Sequence, residues 1–395
     1  MNPGLGWSER LATHGRTDLA GSADTAPRGV DAIRYWDETE FASSSTVWNE
    51  LCARADCDPY FMGWDRQWLW WQHHKGLLAG QLSIIACYAG PTLVGIAPFY
   101  LKNASHRSLL HAPRMELIGG SFRASGSVFS EYLDLIADRR YAGEVVFAVA
   151  QQLREDDRWS DLVVSNADVA GLAGALFRSH LGAETMVREV DPLESYQIPL
   201  SSNFSSYLAS LSSGARRKIW NQRAKLQDPS LLVAPPDEVQ PVFELLEQYH
   251  QFRWQAPMYH GVGRAFHDAL TAVMLQRGAL RMTTLHSAGR PIAAMHNVRL
   301  GGTEYNIRTG FDPACSVGVS PGYLHFGYCL EAASREGIRR FDLLAGEGLH
   351  RNYKRDFGAN ERPLRTFHAI RDPKLKLLYA AYRIVAGRKR EEVSQ

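Results

Sequence analysis

The sequence predicts an α+β fold built from two similar lobes, and three observations support this prediction. The chain has 395 residues, of which 45% are hydrophobic and 22% charged, as is typical of a globular chain of about two domains. The segment LSIIACYAGPTLVGIAPFYL, residues 82–101, is echoed by RMTTLHSAGRPIAAMHNVRL, residues 281–300. Aligning Ala89 with Ala288 places the copies 199 residues apart, about half the chain, as in a duplicated fold. In both halves, helical patterns precede strands, and a further helix or strand follows.

The order of these patterns divides the chain into three parts. Residues 1–29 carry charges and lack a continuous apolar run, so we interpret them as a flexible tail without a secretory signal. Residues 30–199 form the first predicted lobe and residues 200–395 the second. The first lobe is predicted to contain helices over 46–54 and 141–154 and strands over 82–88, 92–101, 115–118 and 132–136. The second is predicted to contain helices over 203–211, 214–226, 241–252, 264–277, 321–336 and 373–386, and strands over 280–285, 292–298, 303–309, 339–344 and 364–370.

The stretch 76–101 contains no charged residue and follows a tryptophan-rich segment, which makes it a candidate membrane span. Glycines and prolines interrupt it, and Ala89, Gly90 and Pro91 divide it into two segments of strand length. We therefore predict a buried hairpin and no stable membrane insertion.

The net charge and the cysteines argue against several classes of protein. The 44 basic and 42 acidic residues leave a formal charge of +2, which is too small to bind DNA through bulk charge. Five cysteines without a C-x-x-C pair argue against a disulfide scaffold and a structural zinc site. The histidines show no metal-ligand spacing. We expect a cytoplasmic protein with no metal and no DNA partner.

The sharpest local pattern is SVGVSPGYLHFGYCLEAASREG, residues 316–337. Ser320 suits a helix N-cap, Pro321 the first helical position and Gly337 the C-terminal cap. Gly318 and Gly322 would let a ligand approach free backbone N–H groups at the positive end of the helix dipole, which is suitable chemistry for a pyrophosphate. The alternative is that these residues only cap the helix.

The same segment matches G-x-S-x-G, the pattern of a serine hydrolase nucleophile, and Asp342 and His350 follow in the order of a triad. The oxyanion hole of such an enzyme needs the N–H of the residue after the serine, and Pro321 has none. The hydrolase therefore remains a distant alternative.

Several segments together resemble the CelD/BcsL-type acetyltransferases, a Fem-like branch of the GNAT acyltransferase superfamily. In chain order they are PYFMGWDRQWLWW, LVGIAPFYL, LSSGARRKIWNQRAKL, GRPIAA, YNIRTGFDP, VSPGYL and RRFDLLAGEGLHRNYKRDFG. The resemblance implies tandem GNAT-like lobes, each a mixed, mostly antiparallel sheet flanked by helices. It also implies that the second lobe binds acetyl-CoA or another acyl-CoA, while the first binds no cofactor and shapes the acceptor site. The pyrophosphate-binding residues would be Val317, Gly318, Val319, Ser320 and Gly322.

Acyl transfer from a thioester needs a neutral nucleophile, a polarised carbonyl and a proton for the leaving thiolate. The candidates follow the predicted strand 339–344. Glu347 and His350 could relay a proton from the acceptor, Tyr353 could protonate the thiolate, and Lys354 could bind a phosphate or carboxylate of the substrate. Asp342 could take part in catalysis or form a hydrogen bond at the strand end; because it lies in an apolar run, it should have a partner. In the alternative, Glu347 and His350 pair on the surface, Tyr353 packs its ring and Lys354 is solvated.

A second candidate substrate-binding group lies on the predicted helix 214–226. Arg216, Trp220 and Arg223 would share one helical face, with an aromatic plane between two guanidinium groups. Such a face can stack on a base and hold phosphates, although most basic helical faces are only solvated.

Together these observations predict a cytoplasmic, acyl-CoA-dependent N- or O-acyltransferase, and we expect the transferred group to be acetyl. Its acceptor would be a small molecule, a sugar or an amino acid derivative, and the resemblance implies a role in envelope or exopolysaccharide biosynthesis. The nearest alternative is a Fem-type enzyme that transfers an aminoacyl group from charged tRNA. A non-catalytic binding protein is a further alternative.

Overall fold

The computed structural model describes residues 29–123, 128, 130–201, 203–315, 318–346 and 353–382. The first half begins with a short strand and three helices, followed by a three-stranded meander, and ends in alternating helices and strands. Its elements are β1 (Ala32–Trp36), α1 (Glu38–Ser43), α2 (Ser45–Arg54), α3 (Trp64–Leu78), β2 (Gln81–Ala89), β3 (Thr92–His106), β4 (Leu110–Leu117), β5 (Ile136–Ala137), α4 (Ala142–Glu155), β6 (Asp161–Asp168), α5 (Leu172–Ser179) and β7 (Met186–Pro199).

The second half repeats this plan: helices, a meander, a helix and a further strand. Its elements are α6 (Phe204–Ser210), α7 (Ser213–Ile219), β8 (Ser230–Val233), α8 (Val239–Trp254), α9 (Gly261–Gln276), β9 (Leu280–Ser287), β10 (Arg290–Leu300), β11 (Thr303–Phe311), α10 (Pro321–Arg335), β12 (Arg340–Ala345) and β13 (Asn360–Ile370). Residues 373–382 are helical. None of the helices in the described ranges is both long and apolar enough to cross a membrane.

The strands form one mixed sheet of 13 strands in the order β1-β2-β3-β4-β6-β13-β7-β12-β11-β10-β9-β8, with β5 paired to β3. In each half the third strand of the meander pairs in parallel with the strand that follows the next helix, β4 with β6 and β11 with β12. Most of the other pairings are antiparallel. The predicted α+β fold of two similar lobes is confirmed: each half contributes mixed, mostly antiparallel strands flanked by helices, and the two sets of strands join in one sheet.

The charge-free stretch forms the predicted hairpin, because β2 and β3 pair antiparallel around a two-residue turn at Gly90 and Pro91. The second hairpin, β9 with β10, turns at Ala288 and Gly289. The residue before the turn is Ala89 in the first hairpin and Ser287 in the second. Both halves therefore contain the predicted hairpin, but the alignment of Ala89 with Ala288 is wrong by one residue.

Two predicted elements are wrong. The helix expected over 214–226 stops at Ile219, and a 3₁₀ turn, Asn221–Lys225, follows it. The strand expected over 132–136 is an irregular buried segment, and only Ile136–Ala137 belongs to a strand. Tyr132 within this segment has a φ of 53°, a left-handed conformation that cannot continue a strand.

The hydrophobic core crosses the middle of the sheet. The cluster that fills the first half also contains Phe266, Tyr305 and Phe367 from the second. A second cluster packs α7 and α10 against β12 through Ile219, Phe326 and Phe341. The two halves are therefore joined by buried apolar side chains as well as by strand pairing.

Candidate active site

The strands β11 and β12 separate at their carboxyl ends. They pair only over residues 303–305 and 340–342, although β11 continues to Phe311 and β12 to Ala345. The helix α10 lies between them in the chain and begins soon after β11 ends. Ligands of parallel sheets bind where neighbouring strands part at their carboxyl ends, so we define this opening, with the start of α10, as the donor cleft.

The first turn of α10 directs backbone N–H groups out of the helix. The first helical hydrogen bond joins the Leu324 N–H to the Ser320 carbonyl at 3.1 Å, so the N–H groups of Gly322 and Tyr323 precede it. Pro321 occupies the first helical position as predicted, but the Ser320 side chain makes no capping hydrogen bond. The helix start therefore keeps the positive end of its dipole and two backbone donors for a ligand.

The loop before this turn has the backbone shape and the charge that suit an anion. Gly318 has a φ of 64°, which glycine adopts without strain. Lys225 donates from Nζ to the Gly318 carbonyl at 3.3 Å, which brings an ammonium group to the loop. A Cβ on Gly322 would lie 3.3 Å from Cδ1 of Phe311, while Val319 packs against the cluster that contains Phe311. The loop is thus closely fitted to the end of β11.

The end of β12 is a bulge held by two buried side chains. Leu344 has a φ of 59°, a strained conformation for a residue with a branched side chain. Asp342 Oδ1 accepts the Leu344 N–H at 2.7 Å. Lys354 Nζ donates to the carbonyls of Leu343, Leu344 and Ala345 at 2.6, 2.9 and 2.7 Å. These bonds occupy all three N–H groups of the Lys354 ammonium.

Asp342 joins the two lobes. Tyr132 donates its hydroxyl to the Asp342 carboxylate at 2.9 Å, and Gln197 Nε2 donates to it at the same distance. Burial raises the pKa of Asp342 to about 6, although its hydrogen bonds oppose this shift. The partner expected from the sequence is therefore present, and it comes from the first lobe.

Glu131 adds a second carboxylate that the sequence analysis missed. Its side chain is buried, and its Oε2 accepts the Ala345 N–H at 2.8 Å. Burial, reinforced by the charge of Asp342, raises the pKa of Glu131 to about 8. Burial lowers the pKa of Lys354 to about 8, against the attraction of the same two carboxylates. Glu131 therefore changes its protonation state near neutral pH, as a general base requires.

Glu131 and Leu344 open into a cavity of about 440 Å³ between the lobes, which we call the inter-lobe cavity. Its size suits a small-molecule ligand. Its wall consists of Tyr60, Phe61, Arg66, Val128, Glu131, Met258, Tyr259, His260, Gly263, His267, Ile307, Arg308 and Leu344.

Two guanidinium groups dominate the wall of the inter-lobe cavity. The Arg66 guanidinium lies 4.7 Å from the ring centre of Tyr60, and the Arg308 guanidinium lies 5.0 Å from that of Tyr259. Burial, with the charges of both arginines, lowers the pKa of His267, so this imidazole is neutral at pH 7. The cavity thus combines aromatic surface with positive charge.

Tyr353 lies beside the start of α10, as the predicted role in the donor cleft requires. Its ring centre is 6.3 Å from those of Tyr323 and Phe357 and 6.5 Å from that of Phe326. Burial raises the pKa of Tyr353 to about 12, while the charge of Arg253 opposes this shift. The phenol is therefore protonated at neutral pH and can serve as an acid.

The predicted aromatic and basic face is broken at Trp220. Arg216 lies on α7, whereas Trp220 ends that helix and Arg223 belongs to the 3₁₀ turn. The Trp220 ring packs against Phe204 and Tyr328, with ring centres 4.9 and 5.2 Å away, and the Arg223 guanidinium covers it at 4.2 Å. The ring is thus enclosed by side chains of the protein itself.

Three predicted site residues, Val317, Glu347 and His350, lie outside the described residues. Within the described ranges, no cluster of histidine, cysteine and carboxylate side chains could hold a metal ion. Tyr132 escaped the sequence analysis because it was assigned to the start of a strand, and Glu131 because it was assigned to no element. One pattern in the sequence could have indicated a site here: two acidic residues, Glu131 and Asp134, flank a short apolar run, and all of these residues are buried.

The second half of the chain is similar to a known domain family. Residues 213–355 match the family model of the acetyltransferase (GNAT) domain, and this segment contains the whole donor cleft. Over these residues the second half of the chain is therefore similar to a GNAT-type acetyltransferase domain. A search of curated proteins finds no match.

Solved structures share the fold at low sequence identity. FemX superposes with a TM-score of 0.57 at 11% identity, over 88% of this chain and 99% of FemX. A conserved protein of unknown function from Bacteroides thetaiotaomicron gives 0.54 at 14% identity, over 86% of this chain and 99% of that one. A tandem GNAT protein from the clavulanic acid biosynthesis pathway gives 0.44 at 14% identity, over 86% and 97%.

Proposed function

We propose that this protein is an acyl-CoA-dependent acyltransferase of the CelD/BcsL type that transfers an acetyl group to an acceptor in the inter-lobe cavity. The observation that carries the proposal is the arrangement around β12. The inter-lobe cavity is lined by Leu344 of the bulge and by Ile307 and Arg308 of β11, so it borders the opening that forms the donor cleft. Glu131, whose pKa is raised to about 8, lies where the cavity meets the bulge.

The donor would bind with its pyrophosphate at the N-terminus of α10. The N–H groups of Gly322 and Tyr323 would donate to the phosphate oxygens, with Lys225 adding positive charge at the Gly318 side of the loop. The pantetheine arm would extend into the opening between β11 and β12, which brings the thioester toward the bulge.

The reaction needs one base and one acid. Glu131 in its ionised form takes the proton from an amine or hydroxyl of the acceptor as the acceptor attacks the thioester carbonyl carbon. The new C–N or C–O bond forms, the C–S bond breaks, and the CoA thiolate receives a proton from the Tyr353 hydroxyl. Asp342 and Lys354 act as positioning residues, since their hydrogen bonds fix the bulge that adjoins both substrates.

The acceptor would be a sugar or an amino acid derivative that carries a negative charge. Aromatic rings such as Tyr60 and Tyr259 suit stacking on a sugar or an apolar side chain, and the Arg66 and Arg308 guanidinium groups suit a carboxylate or phosphate. A role in envelope or exopolysaccharide biosynthesis at the cytoplasmic side is consistent with such acceptors.

Calorimetry with the full chain tests the donor. CoA and acetyl-CoA should each bind at one site, and Gly322→Val should weaken both by about tenfold, because the added side chain presses on Phe311 and displaces the first turn of α10. Thiol release from acetyl-CoA in the presence of an acceptor mixture then tests turnover.

Two results would contradict the proposal. Binding of charged tRNA without binding of CoA would favour aminoacyl transfer, and binding of CoA without thiol release across amine and hydroxyl acceptors would favour a non-catalytic protein. Mass spectrometry of any ligand that co-purifies would identify the acceptor class directly.

A further inference from the structure

A second cavity, of about 260 Å³, is lined mainly by residues of the first half of the chain, with His368 and Tyr379 from the second half, and it shares no lining residue with the inter-lobe cavity. We call it the N-terminal cavity. Its floor is one face of the sheet at β3, β4, β7 and β13, and the end of α3 and the helical residues 373–382 contribute to its rim. Apolar, aromatic and basic side chains line it.

Basic side chains outnumber the acidic groups around the N-terminal cavity. Among the residues that the structure describes, three carboxylates face them: Glu116 beside Lys102, Asp161 beside Arg114, and Asp191 beside Arg123. Burial lowers the pKa of His368, so this imidazole adds no charge at pH 7. The basic residues of the lining are Lys102, Arg107, Arg114, Arg123 and Arg188, which leaves an excess of two positive charges.

Two of these cations, Lys102 and Arg188, have a buried nitrogen without a hydrogen bond within the described ranges. The Lys102 side chain is only 6% exposed; its Nζ lies 2.9 Å from Glu116 Oε1 and makes no hydrogen bond of good geometry within the described ranges. The Arg114 side chain is 4% exposed and is fixed on Asp161 at 2.8 Å. Arg188 Nη1 is buried and meets no acceptor in the part of the chain that the structure describes. Buried donors without acceptors are costly, and an anion in the cavity would supply an acceptor for Arg188 once this side chain turns toward it.

Arg188 is also repelled by neighbouring positive charges. Burial lowers its pKa, and the neighbouring charges of Arg107 and Arg123 add to this effect. Three guanidinium groups therefore repel one another across the opening of the N-terminal cavity. A bound anion would convert that repulsion into attraction.

The rest of the lining limits the size and the chemistry of the ligand. Leu77, Leu78 and Phe122 provide apolar surface, and the Tyr379 ring stacks on the Arg188 guanidinium at 4.6 Å. The volume is below the usual range for drug-sized ligands. Room therefore remains for one phosphate group and a small organic body, and the excess of two positive charges matches a phosphate monoester dianion.

We propose that the N-terminal cavity binds a small, soluble phosphate ester, with Lys102, Arg114 and Arg188 as the donors to its phosphate. The site is separate from the donor cleft and does not depend on the proposed acyl transfer. The first lobe, which the sequence analysis expected to bind no cofactor, then has a ligand of its own.

Calorimetry and hydrogen exchange on the full chain test this site, with glucose 6-phosphate as the probe and glucose as its neutral counterpart. Glucose 6-phosphate should bind at one site and glucose should not. Arg188→Gln should weaken binding by about tenfold, since it removes a charge-assisted contact, whereas Arg290→Gln, on an exposed hairpin turn, should leave it unchanged. The probe should slow amide exchange in residues 102–107 and 373–382.

Three results would overturn the site. They are no binding of glucose 6-phosphate, equal binding by the Arg188→Gln variant, and protection confined to residues 318–324, which would place the phosphate at α10 instead. A failure of CoA binding would contradict the proposed function but would leave the N-terminal cavity to be judged by this probe alone.

Discussion

At the end of β12, a single residue shows how the candidate site is built. Leu344 is strained by its left-handed backbone, and two side chains hold that conformation from opposite sides, Asp342 at its N–H and Lys354 at its carbonyl. Strained residues persist where the surroundings over-determine them, and such places are often functional. Here the strain lies where the donor cleft and the inter-lobe cavity meet.

The Glu131→Gln variant tests the proposed base. The amide cannot accept the acceptor's proton, so we expect kcat to fall by about 10² to 10⁴ while the dissociation constant of acetyl-CoA changes little. Because the ionised carboxylate is the active form and its pKa is raised to about 8, wild-type kcat/KM should rise with pH and level off above about 8. The variant should lose this rise.

A matched control is Glu144→Gln, an exposed substitution on α4. It should retain the wild-type rate and pH profile. If Glu131→Gln turned over as fast as this control, Glu131 would not be the base.

Lys354→Met separates positioning from substrate binding. The variant leaves three buried carbonyls without their donor, and we expect the free energy of unfolding to fall by about 3 to 5 kcal/mol, with a lower kcat and nearly unchanged CoA affinity. Chemical denaturation and calorimetry measure these effects, with Lys374→Met on the exposed side of the last helix as control. A large loss of CoA affinity without loss of stability would instead support the phosphate-binding role expected from the sequence.

Which site residues could be predicted depended on how local their signals are. Ser320, Pro321 and Gly322 were found because capping and glycine patterns act within a few residues. The Lys354 position was identified, but its contacts with three carbonyls of β12 depend on a turn of the chain that no pattern encodes. Glu131 was missed because its importance arises from a partner more than two hundred residues away, Ala345.

Among the elements, α10 depends on a close contact with α7. A Cβ on Gly327 would lie 2.1 Å from the Ile219 carbonyl oxygen, and backbone cannot give way as a flexible side chain can. The two helices therefore meet through a glycine, and this contact sets the position of the α10 N-terminus.

Gly327→Ala should therefore destabilise the protein by about 3 kcal/mol, at the upper end of the usual cost of overpacking. Gly214→Ala, where a Cβ meets nothing within 4 Å, should stabilise it by about 0.5 kcal/mol. Thermal unfolding of the two variants provides the measurement. Equal stabilities would show that α7 and α10 do not pack as described.

The failure of the predicted helix 214–226 has a tertiary cause. Helical spacing was correct as far as Ile219, but Trp220 leaves the helical conformation with a φ of −136°. Its ring then fits between Phe204 and Tyr328. Local propensity is a weak guide where the burial of a large aromatic ring decides the backbone.

At the scale of the whole molecule, the two-lobed organisation could be predicted from the two similar hairpin segments. Each hairpin is encoded within about 20 consecutive residues, so its pattern is visible in the sequence. The centre of the sheet was not predicted. No element was assigned between residues 155 and 199, where β6 and β7 lie, and β13 inserts between them from the far end of the chain. Such pairing depends on long-range closure rather than on a local pattern, and it makes the lobes share one sheet across the predicted boundary at residue 200.

The most direct test of the account is a crystal structure of the full chain with a non-hydrolysable acetyl-CoA analogue. We predict that its pyrophosphate lies on the N–H groups of Gly322 and Tyr323, and that its acyl group passes between β11 and β12 toward the Glu131 carboxylate. An analogue bound elsewhere, or one whose acyl group points away from the inter-lobe cavity, would contradict the account.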